Sequence, residues 1–288
     1  MKVGLNLPVA NPLVGPADLR RIATLAEARG FAELYLGEHV VLFDRPADLY
    51  PATEGDPTFP AATLLPDPLV TLAFIAACTD RIRLATGVLL LPQRNPVYTA
   101  KHIATLDWLS GGRFDCALGL GWSRQEFAAC NVPWGQRGAR AEEYIEVMRR
   151  LWQDEISHFS GRFYQLEPCR QYPKPVQRPH PPLWIGGWSD AALARAARQG
   201  DGWYGFDLPL ERVAACVATL RRLAEEHGRD PAALQLIIGL YLELPLTDGK
   251  LEAYRVLGIG QVVLSLTGAT PDEMLAEIDA HADRLIRP

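Results

Sequence analysis

Short runs rich in Val, Ile, Leu and aromatic residues alternate with longer amphipathic stretches almost from end to end of the chain, a rhythm that few folds accept. Strands are predicted near 2–7, 33–37, 82–90, 113–119, 182–186, 202–206, 234–243 and 261–266. Each is followed by a helix, near 16–29, 67–79, 96–110, 138–154, 189–199, 209–227, 250–257 and 271–286. Pro16 and Pro96 open the first and third helices, Ser189 can cap the fifth, and Thr270-Pro271 can start the last. Repeated strand–helix units build parallel sheets, and eight of them predict an α/β fold closed as a (βα)8 TIM barrel. The 288 residues suit one such domain, read here as 1–288.

Two segments break the rhythm. Val41–Asp67, after the second strand, carries Pro46, Pro51, Pro57, Pro60 and Pro66, and Ser157–Pro182 precedes the fifth strand. In the latter, aromatic residues flank a Ser-Gly turn within His158–Tyr164, a hairpin signal, and Tyr172-Pro173-Lys174-Pro175 reads as extended loop. With the loop after strand four, these are expected as insertions that cover or flank a cleft.

Composition narrows the function. A net charge of -5, from 29 Lys plus Arg against 34 Asp plus Glu, provides no broad positive field for nucleic acid. Only Lys2, Lys101, Lys174 and Lys250 are lysines, and none closes a strand where a Schiff-base nucleophile would stand. Cys78, Cys116, Cys130, Cys169 and Cys216 are odd in number and lack a C-x-x-C pair, as expected of reduced thiols in a cytoplasmic protein. Met1–Leu7 reads as a strand rather than a leader, and no run approaches the ~18 apolar residues of a membrane span. Neither export nor a membrane anchor is expected.

In such a barrel the chemistry sits where strands end and loops begin. Strand two closes on Gly37-Glu38-His39, a carboxylate beside an imidazole. A lone His is more often structural, but this one falls at the mouth, where imidazole suits proton transfer. Strand three carries Thr86-Gly87-Val88, and its glycine marks either plain buried strand or a bulge approached by ligand. Strand four ends in Gly119-Leu120-Gly121-Trp122, which is not a dinucleotide fingerprint because Arg124 stands where the third glycine belongs. Either the glycines leave room for a planar ring walled by Trp122, or they form a tight turn with Trp122 packed beneath. Strand five ends in Gly186-Gly187-Trp188-Ser189 before a helix, where exposed backbone N–H groups can hold phosphate. Asp190 is an unfavourable neighbour for an anion and can equally serve the helix start. Neither H-x-H after strand one, nor H-E-x-x-H, nor a strand-end acidic cluster is present, so no metal ligands are assigned.

Gly37-Glu38-His39, Arg81–Val88, Leu109–Phe114, Gly119-Leu120-Gly121-Trp122 and Pro182–Gly187 together resemble the luciferase-like monooxygenase superfamily, with the likeness running from the first strand to Gly200-Asp201-Gly202-Trp203. The chain is most similar to short members that use the deazaflavin coenzyme F420, rather than to the longer flavin monooxygenases. The resemblance implies a ring over a strand-three bulge at Thr86, Gly87 and Val88, a bulge that often contains a non-prolyl cis peptide. It also implies a phosphate at Gly186, Gly187 and Ser189, and Glu38 and His39 at the redox-active face. Gly119, Gly121, Trp122 and Trp188 complete the expected coenzyme site. Sugar-oxidising relatives place a glutamate directly after strand four, where this chain has Trp122, and Glu126 is the nearest carboxylate. The expected function is F420-dependent hydride transfer with a small organic substrate, His39 moving the accompanying proton. The alternatives are an FMN-dependent monooxygenase and a non-catalytic flavin-binding barrel. A homodimer is expected from the resemblance alone.

Overall fold

The computed structural model describes residues 1–48, 59–241 and 246–286. Strands β1 (Lys2–Asn6), β2 (Glu33–Leu36), β3 (Arg83–Leu90) and β4 (Phe114–Gly119) belong to the barrel, and β5 (Ser157–Ser160) with β6 (Gln165–Cys169) forms a separate antiparallel hairpin. Strands β7 (Leu183–Gly186), β8 (Gly202–Phe206), β9 (Gln235–Leu240) and β10 (Gln261–Ser265) complete the closed parallel barrel. Its seam joins β1 to β10, Lys2 opposite Gln261 through Asn6 opposite Ser265. The fold is thus the predicted eight-stranded barrel, with boundaries within about two to three residues of expectation, as pattern reading allows. Positions 242 and 243 of the predicted seventh strand lie outside the described residues.

The described helices are α1 (Pro16–Ala28), α2 (Pro68–Ala76), α3 (Pro96–Leu109), α4 (Arg124–Ala129), α5 (Arg137–Gln153), α6 (Asp190–Gln199), α7 (Leu210–Glu226), α8 (Asp248–Val256) and α9 (Pro271–Leu285), with the short α4 in the connection after β4. The short α4 is not among the predicted helices, although Ser123-x-x-Glu126 carries a helix-start pattern. The β5–β6 hairpin lies where the Ser-Gly turn pointed.

Large and small side chains from different strands fill the barrel interior. Tyr35, Trp184 and Tyr204 interlock beside Ala85 and Ala117, and Tyr35 stacks 5.7 Å from Tyr204 and 6.2 Å from Trp184. At the N-terminal end of the barrel a polar floor takes over. Glu33 Oε2 accepts from Tyr35 Oη at 2.7 Å and from Gln261 Nε2 at 3.0 Å, with the Asp115–Arg83 ion pair alongside. Burial, then the charge of Asp115, pushes the Glu33 carboxyl well above the usual carboxylate range.

The Leu109–Phe114 motif has a structural use here. Arg113 donates to the carbonyls of Ala76, Thr79 and Ile82, each at 3.0 Å, and to that of Ser110 at 2.8 Å, tying the end of α2 to the start of β4. Among the described residues no helix is long and apolar enough to cross a membrane.

Candidate active site

The C-terminal ends of β2, β3, β4 and β7 converge because their glycines let backbone and side chains approach. The β3–β4 register slips between Thr86 and Leu89, and the Gly87–Val88 peptide is cis. The strand-three glycine therefore marks a bulge. A Cβ on Gly37 would meet the Gly87 carbonyl oxygen at 3.2 Å, and one on Gly87 would meet Tyr204 Oη at the same distance. Val88 wedges between β4 and β7: a Cβ on Gly119 would fall 2.4 Å from Val88 Cγ2, and one on Gly186 3.0 Å from Val88 Cγ1. Larger residues at 119 or 186 would drive this half-buried valine off the floor of the mouth.

The remaining expected contacts divide by position. Thr86 is fully buried and donates to the Ala117 carbonyl at 2.8 Å, so its hydroxyl is committed to the neighbouring strand. Gly121 turns the chain at φ +76°, and a Cβ there would meet Phe127 at 2.9 Å, so the turn itself favours glycine. The Trp122 ring stands edge-on to His39 at 5.4 Å. Gly187 adopts φ +107° and its carbonyl accepts from Trp203 Nε1 at 2.7 Å. Trp188 is half-buried against the core, and Ser189 caps α6 by accepting from Ala192 N–H at 3.3 Å.

Glu38 and His39 point to different work. Glu38 is buried, its Oε2 accepts from Leu90 N–H at 2.6 Å, and its Oε1 accepts from Arg94 Nε at 2.7 Å. Arg94 also bonds Asp67 at 2.6 Å, and Asp67 caps α2 through Val70 N–H at 3.0 Å. This chain of charges braces the end of β3. His39 instead places Nδ1 3.2 Å from Glu126 Oε2, and Glu126 Oε1 accepts from Val40 N–H at 2.5 Å. Glu126, third residue of α4 and fully buried, also gains from the helix N-terminus. Burial alone would raise its pKa, but the hydrogen bond and charge of His39 and the Val40 N–H outweigh it, so the carboxyl lies below its ordinary value. With Nδ1–H held by a carboxylate, a neutral His39 keeps Nε2 as the lone-pair nitrogen, the arrangement of an oriented acid–base.

His39 lines a cleft with Phe43, Phe59 and Trp122. A planar coenzyme with an anionic tail fits this mouth: the floor is a glycine-flanked valine, and beyond Gly186 the buried Arg195 turns two N–H-bearing atoms, Nε and Nη1, to no hydrogen-bond partner among the described residues. Sequence reading leaves Glu126 as merely the nearest carboxylate, and Ser123-x-x-Glu126 is the signal that places it on a helix start. The sequence gives no comparable cue for Arg195, since arginine on an amphipathic helix reads as surface.

A closed (βα)8 barrel with a bulged third strand, a glycine-flanked mouth and a carboxylate-held histidine has the frame of a coenzyme-dependent oxidoreductase. The chain belongs to the luciferase-like monooxygenase family, whose model matches residues 1–280. It is 34% identical over 288 residues to an uncharacterised protein of Mycobacterium tuberculosis, covering 99% of each chain. It is 33% identical over 186 residues to the FMNH2-dependent dimethylsulfone monooxygenase of Pseudomonas putida, covering 64% of this chain and 50% of that one. Among solved structures, monooxygenase RslO1 from Streptomyces bottropensis superposes with a TM-score of 0.77 at 26% identity, covering 99% of both chains. An F420-dependent secondary alcohol dehydrogenase superposes with a TM-score of 0.77 at 17% identity, covering 100% of this chain and 99% of that one, a likeness of fold alone.

Proposed function

We propose that the chain is a coenzyme F420-dependent oxidoreductase that transfers hydride between the deazaflavin and a small organic substrate. The observation that carries this reading is the pairing of His39 with Glu126 at the rim of the glycine-flanked mouth. When bound, the coenzyme would supply the redox centre and accept or donate the hydride. Val88, seated between Gly119 and Gly186 next to the Gly87 bulge, would support the ring, and Trp122 would wall the His39 side. Gly187, Trp188 and Ser189 would stand at the tail. His39 Nε2 would move the substrate proton, Glu126 would hold the imidazole, and Glu38 would act by holding the end of β3. The cleft beside His39 is lined by Val41, Leu42, Phe43, Phe59 and Trp122, which suits an apolar substrate body.

F420 is preferred because the short chain and the order of its motifs resemble the short deazaflavin-dependent members, and because it spans only half of the FMNH2-dependent relative. The second reading is an FMN-dependent monooxygenase, favoured by the 33% identity to that relative. Titration of the purified protein with F420 and with FMN decides. Tighter F420 binding without substrate-dependent oxygen consumption is expected, and the reverse preference overturns the choice.

We further propose a single-domain, cytoplasmic homodimer. The sequence of α2, PLVTLAFIA, is apolar except for the buried Thr71, and Val70, Tyr98, Trp108 and Leu109 are exposed on α2 and α3. Light scattering that gives a monomer mass would refute the dimer.

A further inference from the structure

Gln93 closes the short turn Leu91–Gln93 after β3, and the fold buries its amide without using it. The residue is 9% exposed, and neither Nε2 nor Oε1 closes a hydrogen bond among the described residues. A buried amide without bonds costs free energy, and packing alone does not explain an amide where an apolar chain of the same length would fit. Its surroundings supply a use. Gly121 stands between Gln93 and α4: a Cβ there would fall 3.3 Å from Gln93 Nε2 and 2.9 Å from Phe127 Cε2, and Phe127 adjoins Glu126. The Gln93 amide faces the Glu126 carboxyl from that side. Burial would raise the pKa of this acid, and His39, the Val40 N–H and then Gln93 outweigh it.

Oε1 of Glu126 accepts from Val40 N–H at 2.5 Å and Oε2 lies 3.2 Å from His39 Nδ1, which leaves lone pairs on both oxygens for a third donor. Arg94, next to Gln93 in the chain, is committed to Glu38 and Asp67. Cys130, one turn further along α4, has its thiol pKa raised by burial and by the charge of Glu126, so it adds no charge near neutrality. We infer that Gln93 is a positioning residue for the proposed proton-transfer pair, its Nε2 closing onto Glu126 when a ligand fills the mouth and keeping that carboxylate aimed at His39. The inference rests on the reading of His39 as the group that moves the substrate proton. Filling the mouth shuts out water and removes solvent stabilisation from the carboxylate. An amide N–H replaces that stabilisation without bringing a positive charge that would compete with the imidazole for Glu126.

The test follows the Glu126 carboxyl carbon by NMR in full-length protein grown on isotope-labelled glutamate, the resonance being assigned by its loss in Glu126→Gln. Wild type, Gln93→Met and Gln93→Glu are titrated with pH, both free and with F420 bound. In wild type the carboxyl should titrate below about 4.3 in both states. Gln93→Met keeps the length of the side chain and removes the donor, so the titration should rise by about one pH unit in the free protein and by more with F420 bound. Gln93→Glu sets a second acid beside Glu126, and the two should titrate as a coupled pair whose upper step lies about two pH units or more above wild type. A purely structural amide would change the melting temperature of Gln93→Met and leave these titrations in place. An unmoved titration in folded Gln93→Met therefore overturns the inference, whether or not F420 binds. Should that variant not fold, an unmoved titration in Gln93→Glu overturns it. A titration that moves as expected in a protein that does not bind F420 leaves Gln93 as the holder of Glu126 and sinks the coenzyme reading alone.

Discussion

His39 Nδ1 lies 3.2 Å from Glu126 Oε2, although 87 residues separate the two in the chain. The loop after β2 and the first turn of α4 meet there. Their union gives the imidazole a fixed orientation that neither loop provides alone.

If His39 moves the substrate proton, His39→Ala should lower turnover by about a hundredfold or more with only a modest loss of coenzyme affinity. If it merely props the loop, the same change should lower the melting temperature, and His39→Asn should restore activity, since an amide replaces the bond but not the proton. Turnover, affinity and melting temperature of both variants decide, and an active, destabilised alanine variant ends the catalytic role.

Glu126→Gln keeps the shape and removes the charge that orients His39, so turnover should fall about tenfold or more with little change in KM. The folded carboxyl lies below its ordinary value, so its stabilisation is present above the unfolded pKa of about 4.3 and is lost as pH falls through the folded value. The melting-temperature gap between wild type and Glu126→Gln should therefore be widest near neutrality and close below about pH 4. A gap that is the same at both ends would place the stabilisation elsewhere.

The barrel was legible because strands buried on both faces and amphipathic helices have different periods, and the two alternate without ambiguity from Lys2 to Leu285. The glycines at 87, 119 and 186 were legible as marks of close approach, but not what approaches them: Val88 fills the space at both Gly119 and Gly186, a relation across three strands. Glu38 and His39 are adjacent in sequence, and adjacency suggested shared work. Successive side chains diverge, however, so Glu38 turns to Arg94 on one side and His39 to Glu126 on the other.

Glu38→Gln tests that division. Removing one member of a buried pair leaves Arg94 only Asp67, so stability should drop by on the order of 2 kcal/mol or more. If Glu38 acts only by holding β3, the spectrum of bound coenzyme and the pH profile of turnover should keep their form. A changed pH profile with unaltered stability would return Glu38 to the chemistry.

Gly187→Val meets two obstacles. The position holds φ +107°, where a β-branched residue is strained by about 1–3 kcal/mol, and its Cβ would stand 3.1 Å from that of Ala192. The fold should survive this cost, while a coenzyme tail approaching the turn should bind about tenfold more weakly. Calorimetry on the folded variant that gives wild-type affinity would move the tail away from this turn.

Glu33 carries the last prediction, at the end of the barrel opposite the mouth. Its folded pKa is raised by burial and by Asp115, so the floor favours the uncharged acid over the carboxylate. Its stabilisation is therefore complete below the unfolded value of about 4.3 and declines as pH rises through the folded one, the opposite order to Glu126. Glutamine has no proton to lose and can still accept from Tyr35 and Gln261, so Glu33→Gln should melt with wild type near about pH 4 and above it by a margin that grows toward about pH 8. Paired melts across that range are the measurement. A variant less stable than wild type at every pH would mean that Tyr35 and Gln261 hold a charged carboxylate, with Arg83 close enough to balance both Glu33 and Asp115.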